Sequence, residues 1–272
     1  MGPELSTIST SFQDGILVAK LNRPNKANAL DHTLWFELED LAKWVDATPA
    51  CRVLVLSAEG KYFSAGIDFS LMMTVTGKVA PLPEGQKQEA LFHEIKRLQG
   101  AFSAFENCKK PVIAAVQGLC LGGGIDLIAA CDIRLASKEA TFSVKEIDLA
   151  IVADIGTLQR LPHIVGDAMT RDLAMTGRRF DAEEAKAMGL VSRVYEDAAA
   201  LDDAALGLAR ELASKSPLTM RGIKNTLNYG RGRTVDEGLE RVALWNAAML
   251  MSKDAQEAIS ATMEKRQATF DD

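Results

Sequence analysis

Two short apolar runs, each closed by a glycine-bearing turn, constrain this chain more than any other feature. "RVLVLSA" (residues 52–58) leads into "EGKYFSAGID", and "KPVIAAVQG" (residues 110–118) leads into "LCLGGGID". Short β-branched runs bounded by glycine read as buried strands. The segments around them are helical. "HTLWFELEDLAKWVDA" sets Leu34, Leu38, Leu41, Trp44 and Val45 on one face, with Asp31 placed as an N-cap, and "EALFHEIKRLQGAFSAFENC" has the same period. "ILVAKLNRP" is a strand ended by Pro24 and preceded by the hairpin pair Asp14-Gly15, and "ATFSV" is another short strand. "LCLGGGIDLIAACDIRLAS" reads as a glycine-rich turn running into a helix. Strands alternating with helices give an α/β core with right-handed crossovers.

The pattern changes near Asp181. "DAEEAKAMGLVSRVY" predicts a helix stopped at Gly189 and a short strand, and four amphipathic helices follow to the C-terminus. The last two expose Val242, Leu244, Trp245, Met249 and Met251 on more than one face. That suits packing on a partner subunit, with burial in the same chain as the competing reading. Residues 1–200 are therefore expected to form the core and residues 201–272 a helical oligomerisation region. Residues 74–88, "TVTGKVAPLPEGQKQ", hold two prolines and two glycines and read as a mobile loop.

Composition excludes several functions. A net charge of −6 argues against a broad nucleic-acid or anionic-membrane surface. Cys51, Cys108, Cys120 and Cys131 form no CxxC pair and lie in apolar surroundings, so they read as buried free thiols in a reducing compartment rather than a zinc site. His32, His93 and His163 are isolated, and no metal-ligand spacing is present. No apolar stretch is long enough to span a bilayer, the N-terminus lacks a signal-like core, and the ending "TFDD" is not a peroxisomal address. A cytoplasmic setting is the expectation.

Ser64 in "YFSAG" is not a nucleophile elbow, because Tyr62 stands where that motif has glycine. Gly122 to Gly124 match neither a Walker A loop nor GxGxxG. Their two readings are a tight turn with close packing, or bare backbone that lets a ligand oxygen reach free amides at a helix start. "FSAGID" repeats that situation after the other strand. Ile67 and Gly123 would then supply two amides to one carbonyl. Asp126 stands in the first helical turn, where an acid is also an ordinary helix-stabilising choice. The apolar run "VKEIDLAIVADIG" holds Glu146, Asp148 and Asp154, with no basic residue after Lys145. Buried carboxyls of this kind shift their pKa, find donors or face water. Asp148 reads as a solvated turn residue.

"FSAGID", "VQGLCLGGGIDLIAACDIRLAS", "ATFSVKEIDLAIVADIGTLQRLPHIVG" and "MTGRRFDAEEAKAMGLVSRV" together resemble the crotonase (enoyl-CoA hydratase/isomerase) superfamily over nearly the whole chain. The resemblance implies a spiral of ββα units, C-terminal helices that build a trimer, often doubled to a hexamer, and acyl-CoA thioester substrates. It implies an enolate held by the amides of Ile67 and Gly123. Coenzyme A would lie along Lys26 and Ala27 in "LNRPNKANAL" and along Ala65, Gly66, Ile67, Asp68 and Gly123. The trio Asp126, Glu146 and Asp154 is similar to that of the Δ3,5-Δ2,4-dienoyl-CoA isomerase branch, so these three are the expected catalytic acids. Glu146 would take the C2 proton, Asp154 would protonate C6, and Asp126 would orient or polarise, by hydrogen bonding within the acid cluster. No metal or redox cofactor is implied, coenzyme A being part of the substrate. An enoyl-CoA hydratase is the nearest alternative. A non-catalytic acyl-CoA-binding protein would be expected to lose the acids or the glycines, and an RNA-binding side function has no support from the charge.

Overall fold

A computed structural model describes residues 2–271. The elements run β1 (Ile8–Gln13), β2 (Ile16–Leu21), α1 (His32–Ala47), β3 (Val53–Ala58), α2 (Phe69–Val79), α3 (Glu84–Asn107), β4 (Val112–Val116), β5 (Leu119–Leu121), α4 (Gly123–Ala129), β6 (Ile133–Ser137) and β7 (Thr141–Ser143). Then follow α5 (Thr157–Arg160), α6 (Pro162–Val165), α7 (Asp167–Thr176), β8 (Phe180–Asp181), α8 (Ala182–Ala187), β9 (Arg193–Tyr195), α9 (Ala198–Ala213), α10 (Pro217–Gly230), α11 (Val235–Met249) and α12 (Lys253–Glu264).

β1 and β2 form the expected hairpin. Asp14 and Gly15 both take positive φ, as a turn matched to strand twist requires. From β2 onward the six-stranded sheet is parallel, in the order β1-β2-β3-β4-β6-β9. The register explains why the strand sequences lack polar alternation. Leu54 and Leu56 of β3 face the main core, while Val53 and Val55 face a second cluster with Ile16, Ile113, Ala115 and Leu135. Leu201, Ala205 and Ala209 of α9 cover that second face. Both faces of the sheet are buried, the usual state of a parallel sheet. On the other side Trp35 of α1 stacks on Phe102 of α3 at 4.5 Å and donates Nε1–H to the Leu98 carbonyl at 3.1 Å.

A second sheet, β5-β7-β8, carries the functional turns. The stretch read as a turn running into one helix divides here. β5 pairs with β7, α4 lasts only to Ala129, and β6 joins the large sheet. α4 ends at Ala129, and just beyond it the Arg134 guanidinium donates to the carbonyls of Ile128 and Cys131.

Residues 74–88 are not a loop. α2 runs through Val79 and α3 begins at Glu84, so only residues 80–83 break the helical path. Asp68 caps α2 by accepting from the Ser70 amide, and Leu71, Val75 and Val79 recur every fourth residue on its buried face. Threonines and Gly77 between them hide that period in the sequence.

All four cysteines are free and buried. Among the described residues no helix is long and apolar enough to cross a membrane. Of the C-terminal residues expected to be exposed, Leu244 and Met251 are open to solvent. Val242, Trp245 and Met249 are half-buried in a groove between α10 and α11. There the Trp245 indole packs directly on Gly222, and a Cβ at that glycine would fall 2.5 Å from Nε1.

Candidate active site

The two glycine turns meet. Backbone bridges tie Leu30 to Ile67 and Ser64 to Cys120, so the segments around residues 27–30, 64–68 and 119–123 lie side by side. The Ala65 amide donates to Ala27, Leu30 to Gly66, and Asp68 to Leu30. These bonds consume the neighbouring amides and leave those of Ile67 and Gly123 without a partner among the described residues. The two free amides are neighbours. A Cβ on Gly66 would sit 3.6 Å from Gly123 N, and one on Gly123 3.8 Å from Ile67 N. Gly66 is required twice over: its φ is +91°, and a Cβ would stand 2.8 Å from the Leu121 carbonyl oxygen. Two unpaired N–H groups side by side are the geometry that holds a carbonyl oxygen as it gains charge.

Glu146 opens a 3-10 turn directly over Gly122. Gly122 has φ +49°, and a Cβ there would lie 3.0 Å from Glu146 Oε1, so the glycine makes room for the carboxyl. Glu146 Oε2 is buried with no hydrogen-bond partner. Burial, then the nearby Asp126 and Asp154 charges, push the Glu146 carboxyl up to about 7. Asp126, on α4, is 1 % exposed. Its Oδ1 accepts from the Thr157 amide and from Thr157 Oγ1, each at 2.7 Å. Burial raises it to about 6, against the lowering effect of those two bonds. Asp154 is raised as well, by burial, and its main-chain carbonyl accepts from Gln99 Nε2 at 2.6 Å. Three carboxyls within electrostatic reach, all raised above their ordinary range and two of them, Asp126 and Glu146, titrating near neutrality, can pass protons to and from a bound molecule.

Asp126 is therefore held by Thr157 and not by hydrogen bonds among the acids. Thr157 carried no signal in the sequence. Asp148 is exposed and ion-paired with Lys145, in keeping with a surface turn. Glu146 lines a cavity of about 420 Å³ with Val144, Ile151, Ala153 and Leu158. Its outer residues Ile147 and Val152 keep 47 % and 73 % exposure, so it opens on the protomer surface. Asp154 borders a different cavity, of about 450 Å³, where most of the bordering residues are polar or charged.

Of the residues expected along coenzyme A, Lys26 is exposed on a 3-10 turn and Ala27 takes a left-handed conformation. The Asp68 carboxylate is already engaged, capping α2 and pairing with Arg23 at 3.3 Å, and the Ser70 bonds hold it below the usual carboxylate range. Asn28, missed in the sequence, is fully buried at positive φ and donates to the carbonyls of Glu59 and Tyr62.

Free amides above a buried acid cluster, on turns between a parallel sheet and its helices, define an enzyme of the crotonase fold. The model of the enoyl-CoA hydratase/isomerase family matches residues 11–272, and the chain belongs to that family. It is 47% identical to the peroxisomal Delta(3,5)-Delta(2,4)-dienoyl-CoA isomerase of Arabidopsis thaliana, across 98% of this chain and 96% of that protein. It is 42% identical to the mitochondrial enzyme of that name from Homo sapiens, across 95% of this chain and 79% of that protein. The crystal structure of an enoyl-CoA hydratase from Bacillus anthracis superposes with a TM-score of 0.86 at 31% identity, covering 97% of this chain and 99% of that one.

Proposed function

We propose that this enzyme converts 3,5-dienoyl-CoA to 2,4-dienoyl-CoA during fatty-acid β-oxidation. The observation that carries the reading is a pair of separate carboxyls, Glu146 and Asp154, both raised above the ordinary carboxylate range by burial, with Glu146 set against the glycine turn that leads to one of the two free amides. The thioester oxygen sits between the amides of Ile67 and Gly123, which stabilise the dienolate by a few kcal/mol per donor, on the order of 3 each. Ionised Glu146 takes a C2 proton, and protonated Asp154 delivers one to C6. Asp126, pinned by Thr157, stays largely ionised and keeps the Glu146 pKa high enough for it to act as a base. Only protons and π electrons move, so the chemistry calls for no metal or redox cofactor.

Coenzyme A runs along Lys26, Ala27 and Ala65 to Asp68, with Asp68 contributing through its backbone. The dienoyl-CoA isomerase name shared by the relatives supports the same substrate class. The apolar surface of α10 to α12 supports a trimer or hexamer built by residues 201–272, and the buried free thiols support a cytoplasmic setting. The test is a substrate panel. A 3,5-dienoyl-CoA should yield a conjugated diene absorbing in the near ultraviolet. Rapid hydration of a 2-enoyl-CoA without that shift would make the enzyme a hydratase instead.

A further inference from the structure

The proposed isomerisation leaves the active site in the wrong protonation state. After one turnover Glu146 carries the proton taken from C2, and Asp154 has lost the one given to C6. Before the next substrate reacts, Glu146–COOH must release a proton and Asp154–COO⁻ must gain one. Two routes exist: direct handover of the same proton across the cleft, or exchange with water.

The surroundings of the two acids differ in a way that favours water. Glu146 Oε2 is sealed, and the cavity beside that carboxyl is walled mainly by apolar side chains. Asp154 borders the separate cavity of about 450 Å³ with Gln99, Ser103, Gln159 and His163 on its walls. That volume accommodates on the order of ten waters, each needing roughly 30 Å³ and two to four polar partners. The two arginines in its wall are drawn onto one carboxylate. Arg160 pairs with Glu106 at 2.8 Å, and Arg231 binds the same carboxylate. Arg160 also donates to Ser103 Oγ at 3.0 Å and to the Ile155 carbonyl at 3.2 Å, which folds it back against the wall. Glu106 offsets one of the two positive charges, and the Asp154 carboxyl is still raised by burial. Gln159 and His163 are exposed at the mouth.

We propose that the polar cavity beside Asp154 is a solvent port through which Asp154 regains its proton between turnovers, while Glu146 sheds its own into the emptied cleft. The inference rests on the isomerase reading above.

The test uses the full chain and 3,5-dienoyl-CoA doubly deuterated at C2, in ordinary water, with Gln159→Phe and Ser103→Leu as independent plugs. Wild-type product should carry solvent hydrogen at C6. In either plugged variant the deuterium found at C6 should rise severalfold and steady-state turnover should fall severalfold, while the first turnover in a rapid-mixing experiment keeps its wild-type rate. A merely structural effect would slow both phases together and leave the label unchanged, and that result overturns the port. So does wild-type product with deuterium as the main label at C6, or plugs that change neither label nor turnover. If wild-type protein forms no diene at all, the isomerase reading itself has failed, which is visible before any plug is made.

Discussion

Replacing Asp126 by Asn should make this protein more stable and less active, and the gain should depend on pH in a defined way. The Asp126 carboxyl titrates near 3.8 when free and at about 6 in the fold, because burial outweighs the two bonds from Thr157. The folded state thus binds this proton more tightly than the unfolded chain. Below pH ~4 both states hold the proton and the group costs nothing. As pH rises through about 6 the unfolded state gains from ionisation first, and stability is lost. The loss levels off above that, at two units of about 1.4 kcal/mol each, or roughly 3 kcal/mol. Asparagine keeps an oxygen for the Thr157 donors and removes the charge. The variant should match wild type near pH 4 and exceed it by up to ~3 kcal/mol at pH 8. Urea unfolding at fixed protein concentration and several pH values measures this directly. Equal stability at all pH values, or a deficit that grows with pH, would refute the idea of an ionised acid held at a cost for catalysis.

Other consequences follow from the same geometry. Asp154→Asn should abolish formation of the near-ultraviolet diene while acyl-CoA binding by calorimetry is retained, and unchanged turnover would remove Asp154 from the reaction. Thr157→Val deletes one hydrogen bond to an ionised carboxylate, worth about 1.5–3 kcal/mol, so the acid limb of the kcat profile should move, whereas Thr157→Ser should restore it. Gly66→Ala sets a Cβ against the Leu121 carbonyl at positive φ, which should lower the melting temperature through strain of about 1–3 kcal/mol and depress kcat/KM more than folding yield. Leu71→Ala empties a fully buried site under α2 and should cost about 2–5 kcal/mol in urea unfolding; no change would mean that residues 69–79 are not a packed helix.

What could be read from the sequence was local. The strands around Val53 and Val112 announce themselves because burial on both faces forces unbroken apolar runs. The helix face of Leu34, Leu38 and Leu41 has a period, and the glycines of both turns stand next to the strands they terminate. The missed features depend on contacts between distant parts of the chain. Thr157 reaches Asp126, Ser64 Oγ reaches the Asn28 carbonyl, and Gln99 reaches Asp154, none with a periodic signature. The strands β5 and β8 have three residues or fewer, too short to display alternation, whereas "ATFSV", read as a strand, is β7. The helix α2 was hidden by threonine and glycine on its exposed side, although its buried leucine and valines kept the right spacing.

The bridges that join residue 30 to 67 and residue 64 to 120 also bear on how the protein folds. The two free amides belong to segments that come together only after long stretches of chain have closed, so no fragment carrying one turn contains half a working site. Closing such loops is slow compared with forming helices. Appearance of activity during refolding should lag behind helix formation, and local opening of either bridge would switch off the site while most of the helices remain intact.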